Sequence, residues 1–390
     1  DESESRGLGD VYKRQEIHQS GKPYIIYKSK KGFNLYTNFS KKIILNNQNI
    51  KSFLTKKNKK KSKDTDLFIG FFGYELLNNL IDVKIPKQNN LNFPKGIFYK
   101  PEKKIKLSNK LNYDFENFKS GNFKININRK NYTKIFNKFK KKIKSGETYQ
   151  IKICTKYKTK SKINPLDFFS RLSNTNLAPE AFMIKDHNYS IISCSPETLI
   201  TKKGSDISTK PIAGTVKKTK HLNKIKALNY FRKNLKETKE HNMIVDMERN
   251  DLSRICKVGT VKLSKQKIVE EYKDLFHYVS LIKGKLKKNI NNFEIIKAMM
   301  PGGSVIGCPK INTLNLLNNQ EKENRNIYTG SFGYIKFNGD MRFNIIIRSI
   351  LNFKNISEIS VASGVVVDSN ANHEFNENFL KAKALIDLFK

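Results

Sequence analysis

Apolar positions fall into short runs at two spacings, and the changes of spacing outline the elements. NYTKIFNKFKKKIKSG, from Asn128, puts Tyr132, Ile135, Phe136 and Phe139 on one stripe and meets Gly146, which predicts an amphipathic helix with a glycine stop. TYQIKICTKYK behind it reads as a strand. YSIISCS and ETLITKK are strand-like, TKPIAGTVKK is rich in turn residues, and a long helix is predicted from about Asn223 through Met247. After a loop come the strand LFHYVSLIKG, a helix from about Asn292, the glycine-rich PGGSVIGCPK and a further helix. Three closing strands, TGSFGYIKF, RFNIIIRSI and ISVASGVVV, lead into a final helix. Before all of these, PYIIY, FNLYT, KKIIL and DLFIGFFGYELL are short β-like runs, and KKNKKKSKD reads as a solvated loop. Strands joined mainly as hairpins, with a few helices between, predict an α+β fold in which two antiparallel sheets pack together and helices cover the outside.

Composition narrows the class. Residues 1–15, DESESRGLGDVYKRQ, begin without Met and differ from the Lys/Asn/Ile-rich remainder, so they read as a non-native leader. The division expected is then a β-rich portion at 16–125 and a region carrying the chemistry at 126–390. Apolar runs such as LFIGFF and FNIIIRSIL are strand-length, which predicts no membrane span, and no signal peptide is apparent. Four widely spaced cysteines without a CxxC pattern suggest reduced thiols in a cytoplasmic protein. The formal charge of +40 is diffuse, and only ten of the 75 basic residues are Arg. No zinc-finger spacing, RNP-like strand or long basic helix accompanies it, so nucleic acid is not the expected partner, although a dianionic small molecule would benefit from the field.

Two pairs of carboxylates stand out in so basic a chain. Glu237 and Glu240, in KETKEHNMIVDMERND, and Glu374 and Glu377, in HEFNENFLKAKA, each share one helix face. Brought together, the four would tolerate one another only around a cation or with raised pKa values, and a hard ion such as Mg2+ suits oxygen ligands. The same spacing also fits two solvated faces that never meet. PGGSVIGCPK lacks the Walker spacing, because Cys308 and Pro309 stand where Lys and Thr would be needed. It reads either as a nest of backbone amides suited to a carboxylate or as a simple turn. A lone His277 in an aromatic strand fits a core residue as well as a catalytic one.

Taken in order, SPETL, TKPIAGT, EHNMIVDMERNDL, FHYVS, PGGSVIGCPK, TGSFGYI, NIIIRS and ASGVVVDS followed by EFNEN and FLKAKA resemble the chorismate-utilising enzymes. That family includes anthranilate synthase component I, aminodeoxychorismate synthase component I and the isochorismate and salicylate synthases. The resemblance runs from about Asn128 to Lys390, with GFFGYE alone suggesting it earlier. It implies that Glu240 and Glu377 are direct Mg2+ ligands, with Glu237 and Glu374 acting through water, and that the metal holds the ring carboxylate of chorismate. It implies further that Arg348 grips the enolpyruvyl carboxylate, helped by Tyr334 and the amides of Ser363 and Gly364, with Lys381 adding positive charge. His277 would help the C4 hydroxyl leave, a role suited to an imidazole of unperturbed pKa, and Glu197 is similar to the second acid/base carboxylate. Thr215 and Ser304 are candidate hydrogen-bond donors to the substrate.

Reaction type turns on two positions. Gln150 stands where isochorismate-forming relatives carry a water-activating Lys, which implies ammonia as the nucleophile. Ala213 stands where many aminodeoxychorismate synthases carry a nucleophilic Lys and anthranilate synthases carry Ala. PGGSVIGCPK with Gly303, YTGSFGYI and the Phe343-Asn344 pair resemble aminodeoxychorismate synthase more, so both products stay open, with the 4-amino product expected. None of the cysteines lies in a GxCxG-type turn, so ammonia is expected from a separate glutamine amidotransferase subunit.

Overall fold

The computed structural model describes residues 20–29, 32–56, 63–81, 83, 92–107, 121–175, 178–272 and 275–390. The leader and most of KKNKKKSKD lie outside the described residues.

Every named strand pairing is antiparallel, and the pairings link into one ladder that doubles back on itself. One half runs from Lys262–Glu271 through Leu275–Lys285, Asp206–Lys210, Thr198–Lys203, Met341–Asn344 and Ser331–Lys336 to Leu67–Phe72 and Gly96–Leu107. The other runs from Gly32–Ile44 through Tyr24–Ser29, Glu180–Lys185, Tyr189–Ser195, Ser349–Phe353 and Ile356–Val365 to Gln150–Lys160. The long pair Gly32–Ile44 and Gly96–Leu107 joins the halves, with a register shift between Phe39 and Lys41. Such a bulge turns a strand from one layer to the next.

Side chains that face inward from both halves close the sandwich. Phe332 stacks on Phe182 with centroids 3.7 Å apart, and Tyr27 meets Phe332 edge-on at 5.2 Å, although several strands separate these residues along the ladder. Ile25, Ile69, Phe71, Ile191 and Ile346 complete this inner core. Outside, Val245, Leu252, Ile295 and Met299, from helices Leu235–Ile255 and Asn292–Met299, cover Leu199, Ile282 and Phe343. Leu166, Phe169, Ala382 and Leu385, from Pro165–Thr175 and Ala371–Ile386, cover Ile26, Met183 and Ile359 of the second half. The expected two packed antiparallel sheets with outer helices are therefore present.

Local signals set most boundaries. The helix Arg129–Lys144 starts where the Asn128 side chain accepts from Asn131 N at 2.9 Å, and beyond its end Gly146 takes φ 78°. Several expectations are corrected. The predicted Asn223–Met247 helix is two, Lys224–Lys233 and Leu235–Ile255, because the Asn234 side chain caps a second start by accepting from Glu237 N. The expected loop before LFHYVSLIKG contains the strand Lys262–Glu271, and the end of DLFIGFFGYELL is the helix Tyr74–Leu80. RFNIIIRSI is two strands, Met341–Asn344 and Ser349–Phe353, with Arg348 at the break. Strands of the 16–125 portion pair with Glu180–Lys185 and Ser331–Lys336, so the sheet does not separate it from the 126–390 region.

Phe332 is fully buried and joins the two layers, so Phe332→Ala should cost about 3–5 kcal/mol through lost burial and the cavity left behind. Denaturant unfolding monitored by circular dichroism measures this, and a loss under about 1 kcal/mol would show that the layers do not depend on that stack.

Candidate active site

Both carboxylate pairs, predicted on separate helices, line one cavity of about 430 Å3. The Asn234 cap fixes where Leu235–Ile255 begins, and Glu237 and Glu240 follow on its first turns. Asn370 caps Ala371–Ile386 by accepting from Asn372 N and His373 N, and this closing helix brings Glu374, 1% exposed, and Glu377 to the same space. Glu374, Glu377 and the exposed His373 offer ligand atoms within 4.8 Å of one another. Glu240 is not in that tighter group. Its Oε1 accepts from Lys152 Nζ at 2.9 Å and from Gln150 Nε2 at 2.7 Å, and the ammonium holds its carboxyl down at about 2. Glu377 pairs with Lys381 at 2.6 Å, and Lys381 also donates to Ala362 O.

The donor set suits a metal. With all four glutamates ionised, they exceed Lys152 and Lys381 by the charge of one divalent cation, and their oxygens are the hard ligands that Mg2+ takes.

Across the cavity are the groups expected to act on a substrate. Burial pushes the Glu197 carboxyl up to about 7, against a 2.7 Å hydrogen bond from Ser304 Oγ that favours ionisation. A carboxyl so placed keeps its proton to a higher pH than an exposed one. His277 Nδ1 lies 2.8 Å from Thr215 Oγ1, held there by the pairing of Ile212–Lys217 with Leu275–Lys285. Burial, and then the charge of Arg348, lower its imidazole to about 4. The imidazole, expected to be unperturbed, is thus shifted toward its neutral form. Arg348 lines the same cavity at φ 50°, the strand break turning it out of the sheet.

Not every expected residue reaches this cavity. Tyr334 lies outside it, its ring edge-on to Tyr27 at 6.3 Å, because strand alternation turns it to the inner core, and Tyr328 lines the cavity instead. Gly364 lines the cavity; Ser363, expected to act through its amide, is not among the lining residues, and its hydroxyl lies 2.8 Å from that of Tyr132. Gln150 is not among the lining residues and meets them by donating to Glu240. The glycine-rich segment is a short turn, Gly303–Val305, followed by a two-residue strand, Gly307–Cys308, paired with Gln150 and Ile151. Its glycine at 303 admits Met247, whose Sδ would be 2.1 Å from an added Cβ, so close packing explains it better than an amide nest does. Sequence reasoning misses Lys152, although it lies two residues beyond Gln150 and so on the same strand face.

The chain is similar to proteins of one family. The family described as chorismate binding enzyme matches residues 109–387. Aminodeoxychorismate synthase component 1 of Bacillus subtilis is 34% identical over 267 residues, which is 68% of this chain and 57% of that relative. The chain thus spans little more than half of that protein's length. An anthranilate synthase component I-like protein of Synechocystis is 31% identical over 347 residues, 82% of this chain and 72% of the relative. The crystal structure of anthranilate synthase component I from Streptococcus pneumoniae superposes with a TM-score of 0.76 at 24% identity, covering 93% of this chain and 92% of that one.

Gly214 ties the substrate side of the cavity to the carboxylate side. At φ 97° it adopts a conformation that favours glycine, and an added Cβ would lie 2.8 Å from the Phe231 ring and 3.0 Å from Glu237 Oε2. Gly214→Ala should cost about 1–3 kcal/mol, read as a lowered melting temperature. An unchanged melting temperature would mean that the strand and Glu237 yield without strain.

Proposed function

The chain belongs to the chorismate-binding enzymes, and from that premise we propose that it aminates chorismate in a Mg2+-dependent reaction whose product is 4-amino-4-deoxychorismate. The observation that carries this reading is the convergence of Glu237, Glu240, Glu374 and Glu377 with Arg348, Glu197 and His277 on one cavity. Glu240 and Glu377 are the residues to hold the metal, backed by Glu237 and Glu374. Bound there, Mg2+ would supply positive charge for the ring carboxylate.

The chain's own groups divide the remaining work. The planar fork of Arg348 suits a two-point grip on the enolpyruvyl carboxylate. Glu197, rather than His277, carries the proton for the departing C4 hydroxyl, because a carboxyl near 7 is protonated often enough at neutral pH and an imidazole near 4 is not. Neutral His277, fixed by Thr215, then orients the hydroxyl by hydrogen bonding. Ala213 lines the cavity without an amine, and Lys152 and Lys381 are engaged by glutamates, so ammonia adds directly with no covalent enzyme intermediate. Ammonia comes from a separate glutamine amidotransferase subunit, in keeping with relatives named as component 1. Four unpaired thiols support a cytoplasmic setting. Ala213 also supports a second reading, anthranilate as product.

Incubation with chorismate, Mg2+ and an ammonium salt, followed by aminodeoxychorismate lyase, should yield 4-aminobenzoate, and excess EDTA should stop it. Glutamine should replace ammonium only after a glutaminase subunit is added. Fluorescent anthranilate formed without the lyase would overturn the product assignment, and no amine from either route would overturn the reaction.

The pH dependence tests the acid. At constant free ammonia, kcat/KM for chorismate should fall as pH rises through about 7, because the protonated Glu197 carboxyl is lost there. Glu197→Gln should lower kcat by roughly 100-fold or more and remove that limb. If the limb persists in the variant, the proton comes from elsewhere.

A further inference from the structure

We propose that Lys152 is a tethered counter-ion of the carboxylate site: it occupies Glu240 while no metal is bound, competes with the divalent cation for that oxygen, and turns to the anionic substrate once the cation displaces it. Lys152 Nζ lies 2.9 Å from Glu240 Oε1, which also accepts from Gln150 Nε2 at 2.7 Å, so the oxygen meant for a cation is already covered by two donors. The side chains of Lys152 and Glu240 are 14% and 24% exposed, which weakens the solvent screening that makes surface pairs negligible. The position follows from strand register. Lys152 pairs with Gly364 across Gln150–Lys160 and Ile356–Val365, and a Cβ on Gly364 would come 2.6 Å from Nζ. The ammonium therefore lies over a glycine, with the shared cavity beside it.

Lys381 differs. Its side chain is 47% exposed, and besides Glu377 it holds Ala362 O at 3.1 Å, so it is both better solvated and anchored to the sheet. Among the described residues, the ion pair of Lys152 is with Glu240 alone. A divalent ion at Glu240 would meet a like charge at contact distance, and the displaced ammonium, which already feels the charges of Glu377, Glu374 and Glu197, also comes within reach of an anion bound in the same cavity. Metal and substrate then help each other bind, because the lysine that opposes the first assists the second. The coupling to chorismate rests on the proposed function, whereas the competition at Glu240 does not.

Titration of the full chain with Mn2+, followed by electron paramagnetic resonance of the free ion, separates these. Lys152→Met, checked for folding by circular dichroism, should bind Mn2+ about tenfold more tightly, the size expected for losing one charged hydrogen bond from the competing side. Lys152→Arg keeps the charge and should stay near the unsubstituted protein. Unchanged or weaker Mn2+ binding in Lys152→Met overturns the proposal. In the unsubstituted protein, chorismate without ammonium should tighten Mn2+ binding several-fold, and Lys152→Met should lose part of that coupling, the remainder being the metal's own attraction for the ring carboxylate. Should Lys152→Met not fold, chorismate that binds without changing Mn2+ affinity overturns the proposal. Failure of chorismate to bind overturns the functional reading instead, and the Mn2+ titrations of the variants still decide this one.

Discussion

Four carboxylates that share a cavity repel one another, and in a space partly closed to water the repulsion is several times stronger than on an open helix face. A chain gains nothing from assembling them unless something positive is meant to stand between them. Much of the architecture serves that assembly. Two helices, each started by an asparagine cap, approach from different parts of the sequence and bring their glutamates to one cavity. Lys152 and Lys381 offset part of the charge from the edges.

The sandwich makes the approach rigid. Ala371–Ile386 comes directly after the strand Ile356–Val365, and the pairing of that strand with Gln150–Lys160 extends from Ile356 opposite Lys160 to Val365 opposite Ile151. A one-residue slip would turn Lys152 away from Glu240 and bring Ile153 to the cavity, so register is itself a functional constraint. The strand that should carry Arg348 is interrupted for a similar reason. A residue kept in regular pairing would lie with its neighbours on the sheet surface, whereas at φ 50° Arg348 reaches the cavity.

Legibility in the sequence tracks the range of the forces involved. Helix faces depend on residues three and four apart, so the Glu237/Glu240 and Glu374/Glu377 pairs are legible, as is the Asn128 to Gly146 helix. Fold class is legible in the succession of elements. Convergence on a single cavity is legible only through motif order, since no local spacing tells where two helices will meet. Tyr334 is the wrong tyrosine because Tyr328, six residues earlier, carries the same side chain: the pairing with Leu67–Phe72 fixes the face of Tyr334, while Tyr328, in the turn before that strand, lines the cavity. The pKa of His277 is beyond sequence reasoning, since it depends on burial and on Arg348, brought close by strand pairing rather than by sequence. Lys152 is within reach of simple alternation from Gln150.

The weakest sequence signal belongs to a part the fold cannot spare. The family match begins at residue 109, yet Leu67–Phe72 lies between Ser331–Lys336 and Gly96–Leu107, and Tyr24–Ser29 lies against Glu180–Lys185. Ser331–Lys336 comes closely after Tyr328, and Glu180–Lys185 leads through one hairpin to the strand before Glu197. Removing the early strands would expose two inner edges whose backbone groups pair nowhere else, beside the residues that line the cavity. The family match takes in all the residues that line the cavity, while the early strands need only alternate and fill the space between layers, which many sequences can do.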